Sequence, residues 1–256
     1  MKITVLGSGT SHGVPAIGCD CAVCTSPDPR DRRMRPSIYI ESDRARILVD
    51  TSTDLRMQAL AYGVRRVDAI VFTHSHADHV MGLDDVRRYN QMQGAAIPCY
   101  ADAATIDALR QMFSYVFNPP TQIGGGLPQL VLHPITGPWS IEDVRLVPVP
   151  LWHGKLPVLG FRIGAFAYLT DCNRIPDESW ALLTADGGIK TIVLDALRHR
   201  SHSTHFSVSE AVDVVSRLGV ERAYLTHISH DLGHAATNAQ LPSGVELAYD
   251  GLVLTV

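Results

Sequence analysis

The stretch Thr73-His74-Ser75-His76-Ala77-Asp78-His79 places three imidazoles and one carboxylate within six residues. It directly follows Ala69-Ile70-Val71-Phe72, an apolar run that predicts a buried β-strand. A loop at a strand end can turn all four side chains towards one point, and this ligand set suits zinc, manganese or iron. The alternative is a polar surface loop that happens to be rich in histidine. Convergent ligands are costly to place without an ion, so the stretch predicts a metal site.

Short apolar runs rich in β-branched residues recur on both sides of this stretch and are bounded by Gly, Pro, Asp or Ser. They predict strands at 3–6, 38–40, 47–49, 69–72, 144–149, 158–163, 167–169, 191–194, 223–225 and 252–256. Helical patterns cover 55–62, 103–113 and 208–218. The last of these starts with a capping-box pattern, Ser207 and Glu210, and stops before Gly219.

Because strands come in consecutive runs with helices in both halves, we predict an α/β fold of two β-sheets packed face to face with helices outside. No stretch has the composition of a linker, so one domain spanning residues 1–256 is expected. Residues 118–127 contain two prolines and three consecutive glycines, which predicts a surface loop and not a domain boundary.

The formal net charge of −4 argues against a nucleic-acid footprint. The densest basic run, residues 30–35, is interrupted by an aspartate and is interpreted as a solvated loop in preference to a phosphate-steering patch. No apolar stretch approaches the length of a membrane span, and the first residues read as a strand, not as a signal peptide. We therefore expect a cytoplasmic protein with no membrane partner.

Residues 73–79 resemble the signature of the metallo-β-lactamase superfamily, whose fold is a four-layer αβ/βα sandwich of two mixed β-sheets. The order of further motifs is similar to that family: Asp50 after the strand at 46–49, then His153, Asp171 and His227. The resemblance implies two catalytic divalent ions, Mn or Zn. One would be held by His74, His76, His153 and Asp171, and the other by Asp78, His79, Asp171 and His227. Asp50 would support the site, and Asp78 would also take part in catalysis.

Cys19, Cys21 and Cys24 crowd into six residues of a chain with five cysteines, an odd number unlike a disulfide framework. Three thiolates cannot complete a tetrahedral zinc site, so a structural zinc needs a fourth ligand from elsewhere. A disulfide and buried free cysteines are the alternatives. Residues 9–21 resemble the opening of the PhnP-type cyclic phosphodiesterases. That resemblance implies His230, three residues after His227, as the fourth ligand.

A phosphodiesterase also needs a proton donor for the leaving oxygen, and histidine is suited to this near pH 7. The candidates are His199, His202 and His205. The resemblance places the acid just ahead of the helix that follows Ser207, which selects His205. It also implies a small cyclic phosphate as substrate, either a ribosyl 1,2-cyclic phosphate or a 2′,3′-cyclic nucleotide. Substrate-binding residues are not assigned, although His12 and Lys155 are candidates.

Three other functions use the same features. The same two ions would serve hydrolysis of a thioester, lactone or other acyl substrate. A tRNA-processing nuclease is disfavoured by the acidic balance and by the lack of an obvious basic insertion. A catalytically inactive metal-dependent binding protein predicts a broken ligand set, and none of the expected ligands is missing. The expected partner is a small phosphate ester; no stable nucleic-acid partner is expected, and a homodimer is inferred by analogy.

Overall fold

Two mixed β-sheets form the centre of the protein in a computed structural model that describes residues 1–118 and 126–256. The strands of the first sheet are β1 (Lys2–Gly7), β2 (Ser37–Glu41), β3 (Arg46–Val49), β4 (Ala69–Val71), β5 (Ile97–Ala101), β6 (Leu130–Pro134) and β14 (Val253–Thr255). Those of the second are β7 (Trp139–Ile141), β8 (Val144–His153), β9 (Leu156–Ile163), β10 (Phe166–Leu169), β11 (Thr191–Asp195), β12 (Arg222–Thr226) and β13 (Val245–Leu247).

Helices cover the outer face of each sheet. They are α1 (Leu55–Tyr62), α2 (Ala77–Val80), α3 (Arg87–Gln93), α4 (Ala103–Met112), α5 (Ser114–Phe117), α6 (Asp177–Thr184), α7 (Val208–Leu218) and α8 (His234–Asn238). Short 3₁₀ helices occur at Pro29–Asp31 and Leu83–Val86. Among the helices of residues 1–118 and 126–256, none has the length and apolar character required to span a membrane.

The strand order is β14-β1-β2-β3-β4-β5-β6 in the first sheet and β13-β12-β11-β10-β9-β8-β7 in the second. Pairing is antiparallel from β14 to β3 and parallel from β3 to β6. In the second sheet it is parallel from β13 to β10 and antiparallel from β10 to β7. Each sheet therefore carries a block of parallel strands whose carboxyl ends lie along one edge.

Alternation along the strands creates the layers, because successive side chains of a strand point to opposite faces. In β2, Ile38 and Ile40 pack into the core between the sheets, whereas Tyr39 packs outwards among residues of the helices. In β11, Val193 faces the same inner core and Leu194 packs outwards with residues of α6 and α7. The four-layer αβ/βα sandwich predicted from the sequence is thus confirmed.

The predicted elements are present with small shifts of their ends. The capping box at the start of α7 is formed, with the Ser207 side chain bonded to the Glu210 N–H and the Glu210 carboxylate bonded back to Ser207. The prediction of a plain loop after β4 was wrong in one respect: Asp78 and His79 lie in the single turn of α2, which starts directly after His76. Of the loop predicted at 118–127, residues 119–125 lie outside the described residues.

Candidate active site

The candidate ligands lie where strands end. Asp50 follows β3 and the stretch 73–79 follows β4, while Asp171 follows β10 and His227 follows β12. His153 is the last residue of β8. Because the carboxyl ends of parallel strands meet at one edge of an open sheet, the topology collects polar side chains there from both sheets. The crevice at this edge is the candidate site.

Three of these residues adopt a backbone conformation that non-glycine residues avoid. Asp50, Asp171 and His227 have φ of 63°, 54° and 58°. Left-handed backbone costs a non-glycine residue about 1–2 kcal/mol, and such strain concentrates at functional sites where the surrounding structure enforces it. In each case the turn points the side chain at a strand end back into the crevice.

Asp50 is completely buried and orients the residues around it. Its Oδ1 accepts the N–H of Thr73 at 2.8 Å, and its Oδ2 accepts the Thr73 hydroxyl at 2.8 Å. The same Oδ2 lies 2.7 Å from Nδ1 of His79. A carboxylate that holds one ring nitrogen fixes the tautomer and leaves the other nitrogen free to bind a metal. This geometry agrees with the supporting role expected for Asp50.

Asp171 lies at the centre of the cluster. Its Oδ2 is 3.1 Å from Nε2 of His79, and its Oδ1 is 3.2 Å from Nε2 of His227 and 4.0 Å from Nε2 of His74. Asp78 Oδ2 lies 3.4 Å from Nε2 of His79 and 3.6 Å from Nε2 of His227. One ligand atom from each of Asp78, His79, Asp171 and His227 lies within 4.8 Å of the others, so the set expected for one ion is assembled.

The set expected for the other ion is assembled around His74. The ring centroid of His74 is 4.6 Å from that of His76 and 5.8 Å from that of His153, and the last two are 5.2 Å apart. His153 Nδ1 donates to the backbone carbonyl of Thr204 at 2.9 Å, which leaves its Nε2 for a ligand. Asp171 reaches this set through His74, so it is the one candidate shared by both.

The buried polar atoms of the crevice fit divalent ions. Nε2 of His74, Nε2 of His79, Oδ2 of Asp78 and Nε2 of His227 are all buried without a hydrogen-bond partner. A buried polar atom without a partner is costly, and such atoms are rare in folded proteins. Four that converge from two sheets are explained if cations take up their lone pairs.

The charges of the cluster support the same conclusion. Burial opposes the charged form of His227, but Asp171, Asp78 and Asp195 outweigh it and raise its pKa to about 9. Burial likewise opposes protonation of His79, yet Asp171, Asp78 and Asp50 raise its pKa well above the usual value. The carboxylates therefore draw positive charge into the crevice. Metal ions would replace those protons, because imidazole must be deprotonated to bind a metal.

A second aspartate–histidine pair, Asp195 and His205, lies beside the candidate ligands of the second sheet. Asp195 ends β11 with no exposed surface, and its Oδ2 is 2.7 Å from Nδ1 of His205. The same oxygen accepts the N–H of Cys172 at 2.7 Å. The His205 ring stacks on that of His227 at 4.5 Å and lies 4.6 Å from that of His153. His205 is thus buried beside the candidate ligands, with one nitrogen held by a carboxylate.

Asp195 was not predicted from the sequence. The available signal was its position directly after the apolar run at 191–194, which matches the position of Asp50 after β3.

The two alternative proton donors, His199 and His202, lie in different surroundings from His205. His199 is exposed and lines a separate cleft beside α7, whereas His202 lies at the rim with its ring 5.2 Å from that of His205.

The remaining candidates for substrate contact are at the surface. His12 is exposed and lines a cleft together with Arg35, and Lys155 is exposed in the turn between β8 and β9. The basic run at 30–35 is only partly a solvated loop. Arg33 is buried, and its charge is satisfied there by an ion pair with Asp31 and by hydrogen bonds that it donates to the backbone carbonyls of Ser229 and Leu232.

The cysteine cluster has the geometry of a zinc site. Nδ1 of His230 lies 3.2, 3.5 and 3.5 Å from the Sγ atoms of Cys19, Cys21 and Cys24. Ordinary Zn–S and Zn–N bonds in a tetrahedron place sulfur and nitrogen about 3.5 Å apart. The N–H of Cys24 is the main cause that lowers the pKa of Cys21 to about 6, which favours a thiolate. The five cysteines are free, so a disulfide does not explain the cluster.

The two sites share one loop. His227 belongs to the candidate catalytic cluster, and His230 belongs to the cysteine cluster. Between them, Ile228 pairs with the segment after β1 through Ile228 N to Ser8 O at 2.9 Å and Thr10 N to Ile228 O at 3.1 Å. The loop after β12 is therefore fixed on one side by the cysteine segment and presents His227 on the other.

A four-layer αβ/βα sandwich with histidine and aspartate side chains clustered at the ends of its strands is the architecture of the metallo-β-lactamase class of proteins. A family model described as a beta-lactamase superfamily domain matches residues 45–228. The chain is also similar to the crystal structure of a diphosphatase from the PhnP family, with 45% identity, a TM-score of 0.92 and coverage of 100% of this chain and 97% of that one. It belongs to the beta-lactamase superfamily and, within it, to the PhnP family.

Two relatives with other activities are similar to the chain. It is 37% identical over 258 residues to an octanoyltransferase of Porphyromonas gingivalis, a match that covers 98% of this chain and 51% of that protein. The chain thus spans about half the length of that relative. It is 26% identical over 263 residues to a ribonuclease Z of Mycolicibacterium gilvum, covering 89% of this chain and 84% of the relative.

Proposed function

We propose that this protein is a dinuclear metal-dependent phosphodiesterase that acts on a small phosphate ester. The observation that carries the proposal is the position of Asp171, whose two carboxylate oxygens face Nε2 of His79, His227 and His74 at 3.1, 3.2 and 4.0 Å. A carboxylate shared by two histidine-rich sets is suited to bridge two ions. His74, His76, His153 and Asp171 would hold one, and Asp78, His79, Asp171 and His227 the other.

Two divalent ions, Mn or Zn, would supply an acidified water and neutralise charge that builds on the phosphoryl oxygens. The chain itself supplies orientation. Asp50 holds His79 through Nδ1 at 2.7 Å, and the Thr204 carbonyl holds His153 through Nδ1 at 2.9 Å. Each of these bonds directs the Nε2 lone pair into the crevice, and such partners commonly contribute 10–100-fold to metal affinity or activity.

His205 is the proposed proton donor. The bond from Nδ1 to Asp195 at 2.7 Å leaves Nε2 as the nitrogen available to the substrate, and histidine is suited to donate a proton near neutral pH. In the reaction a water attacks phosphorus and gives up one proton to solvent, while the bond from phosphorus to the leaving oxygen breaks. That oxygen takes the proton from His205 Nε2, which then regains a proton from solvent. Placement beside His153 and His227 brings the donor next to the reacting phosphate.

For the substrate we propose a small cyclic phosphate, either a ribosyl 1,2-cyclic phosphate or a 2′,3′-cyclic nucleotide, as the resemblance to the PhnP-type enzymes implies. A diphosphate is the second candidate, since the relative with 45% identity is called a diphosphatase. An acyl substrate is the third, because of the octanoyltransferase relative, but the match covers only half of that protein. A homodimer and the lack of a stable nucleic-acid partner stay predictions.

A substrate panel tests the proposal. The chain loaded with Mn²⁺ or Zn²⁺ is assayed with bis-p-nitrophenyl phosphate, 2′,3′-cyclic AMP, a ribosyl 1,2-cyclic phosphate, ADP, nitrocefin and an octanoyl thioester. We expect turnover of the phosphodiesters, with the highest kcat/KM for a cyclic phosphate, and none of the acyl probes. A higher kcat/KM for ADP would indicate that the substrate is a diphosphate and not a cyclic phosphate. Turnover of the acyl probes alone would reject the proposal.

A matched pair of variants assigns the activity to the crevice. Asp171→Asn removes the shared carboxylate and should lower kcat by at least about 100-fold, since it acts on both candidate sets. Asp186→Asn is the control, because Asp186 is exposed, lies outside the crevice and also has a positive φ, of 49°. Asparagine tolerates this backbone conformation, so neither variant is expected to strain the fold. Equal activity of both variants would contradict the assignment.

A further inference from the structure

Asn173 connects two loops of the candidate active site. It lies two residues after Asp171, and its side chain is only partly exposed. Its Oδ1 accepts the N–H of Gly154 at 2.9 Å, and its Nδ2 donates to the carbonyl of Ser203 at 2.9 Å. A single amide thus joins the turn between β8 and β9 to the loop that precedes α7.

Each of the two segments carries a candidate site residue within two residues of the backbone group that Asn173 bonds. His153 directly precedes Gly154, and His205 follows Ser203 by two residues. His153 itself donates to the carbonyl of Thr204 at 2.9 Å. Two successive carbonyls ahead of His205 are therefore held, one by Asn173 and the next by His153, which fixes the direction in which the chain enters His205.

Close packing of the same two loops adds to these bonds. Gly154 has φ of +64°, and a Cβ at this position would lie 2.8 Å from Cγ2 of Thr204 and 3.5 Å from the carbonyl oxygen of Ser203. Glycine is required both for the backbone conformation and for the approach of the loop. The loop is thus held against the turn over a short contact, and Asn173 closes that contact on one side.

We propose that Asn173 is a positioning residue that sets the distance between the proton donor His205 and the metal-binding cluster. The proposal rests on the proposed function, since it takes His205 as the acid. Asp195 holds the His205 ring at Nδ1 and Asn173 holds the main chain two residues earlier, so each constrains what the other leaves free. Displacement of a catalytic group by about 1 Å can cost about 100-fold in rate.

The choice of leaving group separates positioning from general damage. p-Nitrophenolate leaves without protonation, whereas the ribose oxygen released from 2′,3′-cyclic AMP needs a proton. For Asn173→Ala we expect kcat for 2′,3′-cyclic AMP to fall about 10–100-fold, kcat for bis-p-nitrophenyl phosphate to change less than about threefold, and the metal content to stay as in the wild type. Asn90→Ala is the control. The Asn90 amide likewise bonds to two separate segments, at Ala95 and Gln129, but it belongs to helix α3 and is not part of the candidate active site.

Asn173→Asp tests the bond to the loop alone. Aspartate still accepts the Gly154 N–H but has no donor for the Ser203 carbonyl, so we expect the same selective loss as in Asn173→Ala. Wild-type activity of Asn173→Asp on 2′,3′-cyclic AMP, or an equal loss on both probes in the Asn173 variants, would overturn the positioning role while leaving the proposed function intact. If the wild type cleaves only the ribosyl 1,2-cyclic phosphate, that substrate takes the place of 2′,3′-cyclic AMP in these comparisons. Failure of the wild type on both cyclic phosphates would instead contradict the proposed function, and the positioning role with it.

A second pair of variants reaches the same contact without Asn173. Gly154→Ala places a methyl group 2.8 Å from Cγ2 of Thr204 and should displace the loop, again with a selective loss on 2′,3′-cyclic AMP. Adding Thr204→Ser removes Cγ2 but keeps the hydroxyl that bonds to His202. Alanine at φ +64° is strained in both variants, so the comparison between them isolates the contact with Cγ2 of Thr204. We expect the double variant to recover at least about fivefold of the lost kcat relative to Gly154→Ala. A double variant no more active than Gly154→Ala would show that this contact does not position His205.

Discussion

At the scale of the residue, Asp50 illustrates how a buried carboxylate can orient a candidate metal ligand. It accepts two hydrogen bonds from Thr73 and one from Nδ1 of His79, all with no exposed surface. A carboxylate can only accept, so it keeps the proton of His79 on Nδ1 and the lone pair on Nε2. Asp195 relates to His205 in the same way, since it also ends a strand, accepts a backbone N–H and holds Nδ1.

Asp50→Asn should therefore impair metal binding without unfolding the protein. The amide can still accept from Thr73, but its NH₂ group would face Nδ1 of His79 and favour the tautomer with the proton on Nε2. We expect metal affinity or kcat to fall about 10–100-fold, measured by metal content and by the phosphodiester assay. Asp54→Asn, which removes a partly exposed partner of Arg35, is the control. Unchanged metal affinity in Asp50→Asn would refute the tautomer argument.

The sequence points to the candidate ligands in the stretch 73–79 and in the cysteine run because these lie in short motifs with distinctive residue types, whereas His153, Asp171 and His227 are implied only by the family resemblance. The stretch 73–79 and the cysteine run contain so many metal-binding residue types close together that each indicates a metal site even before the fold is known. Asp195 and Asn173 are single polar residues of common type, and their roles depend on which loops meet in space. Spacing along the chain carries no information of that kind. The ligand roles themselves stay predictions until metal analysis tests them.

At the scale of the element, the loop after β12 connects the two candidate metal sites. His227 and His230 are separated by two residues, and the cysteine segment holds His230 by three sulfur contacts of 3.2–3.5 Å.

Cys24→Ala should remove one zinc per chain, because the site would retain only three ligands. Loss of that anchor should also lower catalytic metal affinity at His227 by several-fold. Cys99→Ala is the control, since Cys99 is buried in β5 away from both sites. An unchanged zinc count in Cys24→Ala would contradict the structural zinc.

Helix α7 provides a prediction that does not depend on metal. Ser207 accepts the N–H of Glu210 through its side chain, and Glu210 accepts the N–H of Ser207 at 2.7 Å. Ser207→Ala should lower the free energy of unfolding by about 1 kcal/mol, measured by urea denaturation. Ser216→Ala is the matched control, because Ser216 lies exposed in the last turn of the same helix, away from the cap. Equal losses in both variants would argue against the cap.

The elements that the sequence did not predict have physical features in common. β7 and β13 have three residues each and lie at the ends of the second sheet, so each is too short to give a clear alternating pattern in the sequence. β6 is an edge strand with an exposed Val131, and β5 contains Pro98, which normally argues against a strand. Helix α6 is preceded by Pro176, whose side chain cannot cap the first turn. In each case tertiary contacts stabilise an element whose local signal is weak.

At the scale of the whole molecule, the crevice depends on the packing of the two sheets. Sheet one contributes the stretch 73–79, and sheet two contributes His153, Asp171 and His227. The sheets are held together by a core of side chains such as Phe161 and Val193, both without exposed surface. With candidate ligands on opposite sheets, a bound ion would link the two halves of the sandwich, and metal binding would then be coupled to folding.

Metal binding should therefore stabilise the folded chain by an amount fixed by mass action. With Mn²⁺ at 100 times its Kd, the free energy of unfolding should rise by about 2.7 kcal/mol per site, because the unfolded chain does not present the ligands together. Asp171→Asn should lose most of this gain since Asp171 faces both sets, whereas Asp186→Asn should keep it. Urea denaturation with and without Mn²⁺ measures the effect, after a metal count confirms that each variant retains the zinc at the cysteines. If Mn²⁺ stabilised Asp171→Asn as much as the control, the ions would have to bind without the shared carboxylate, and the two sheets would not be linked through it.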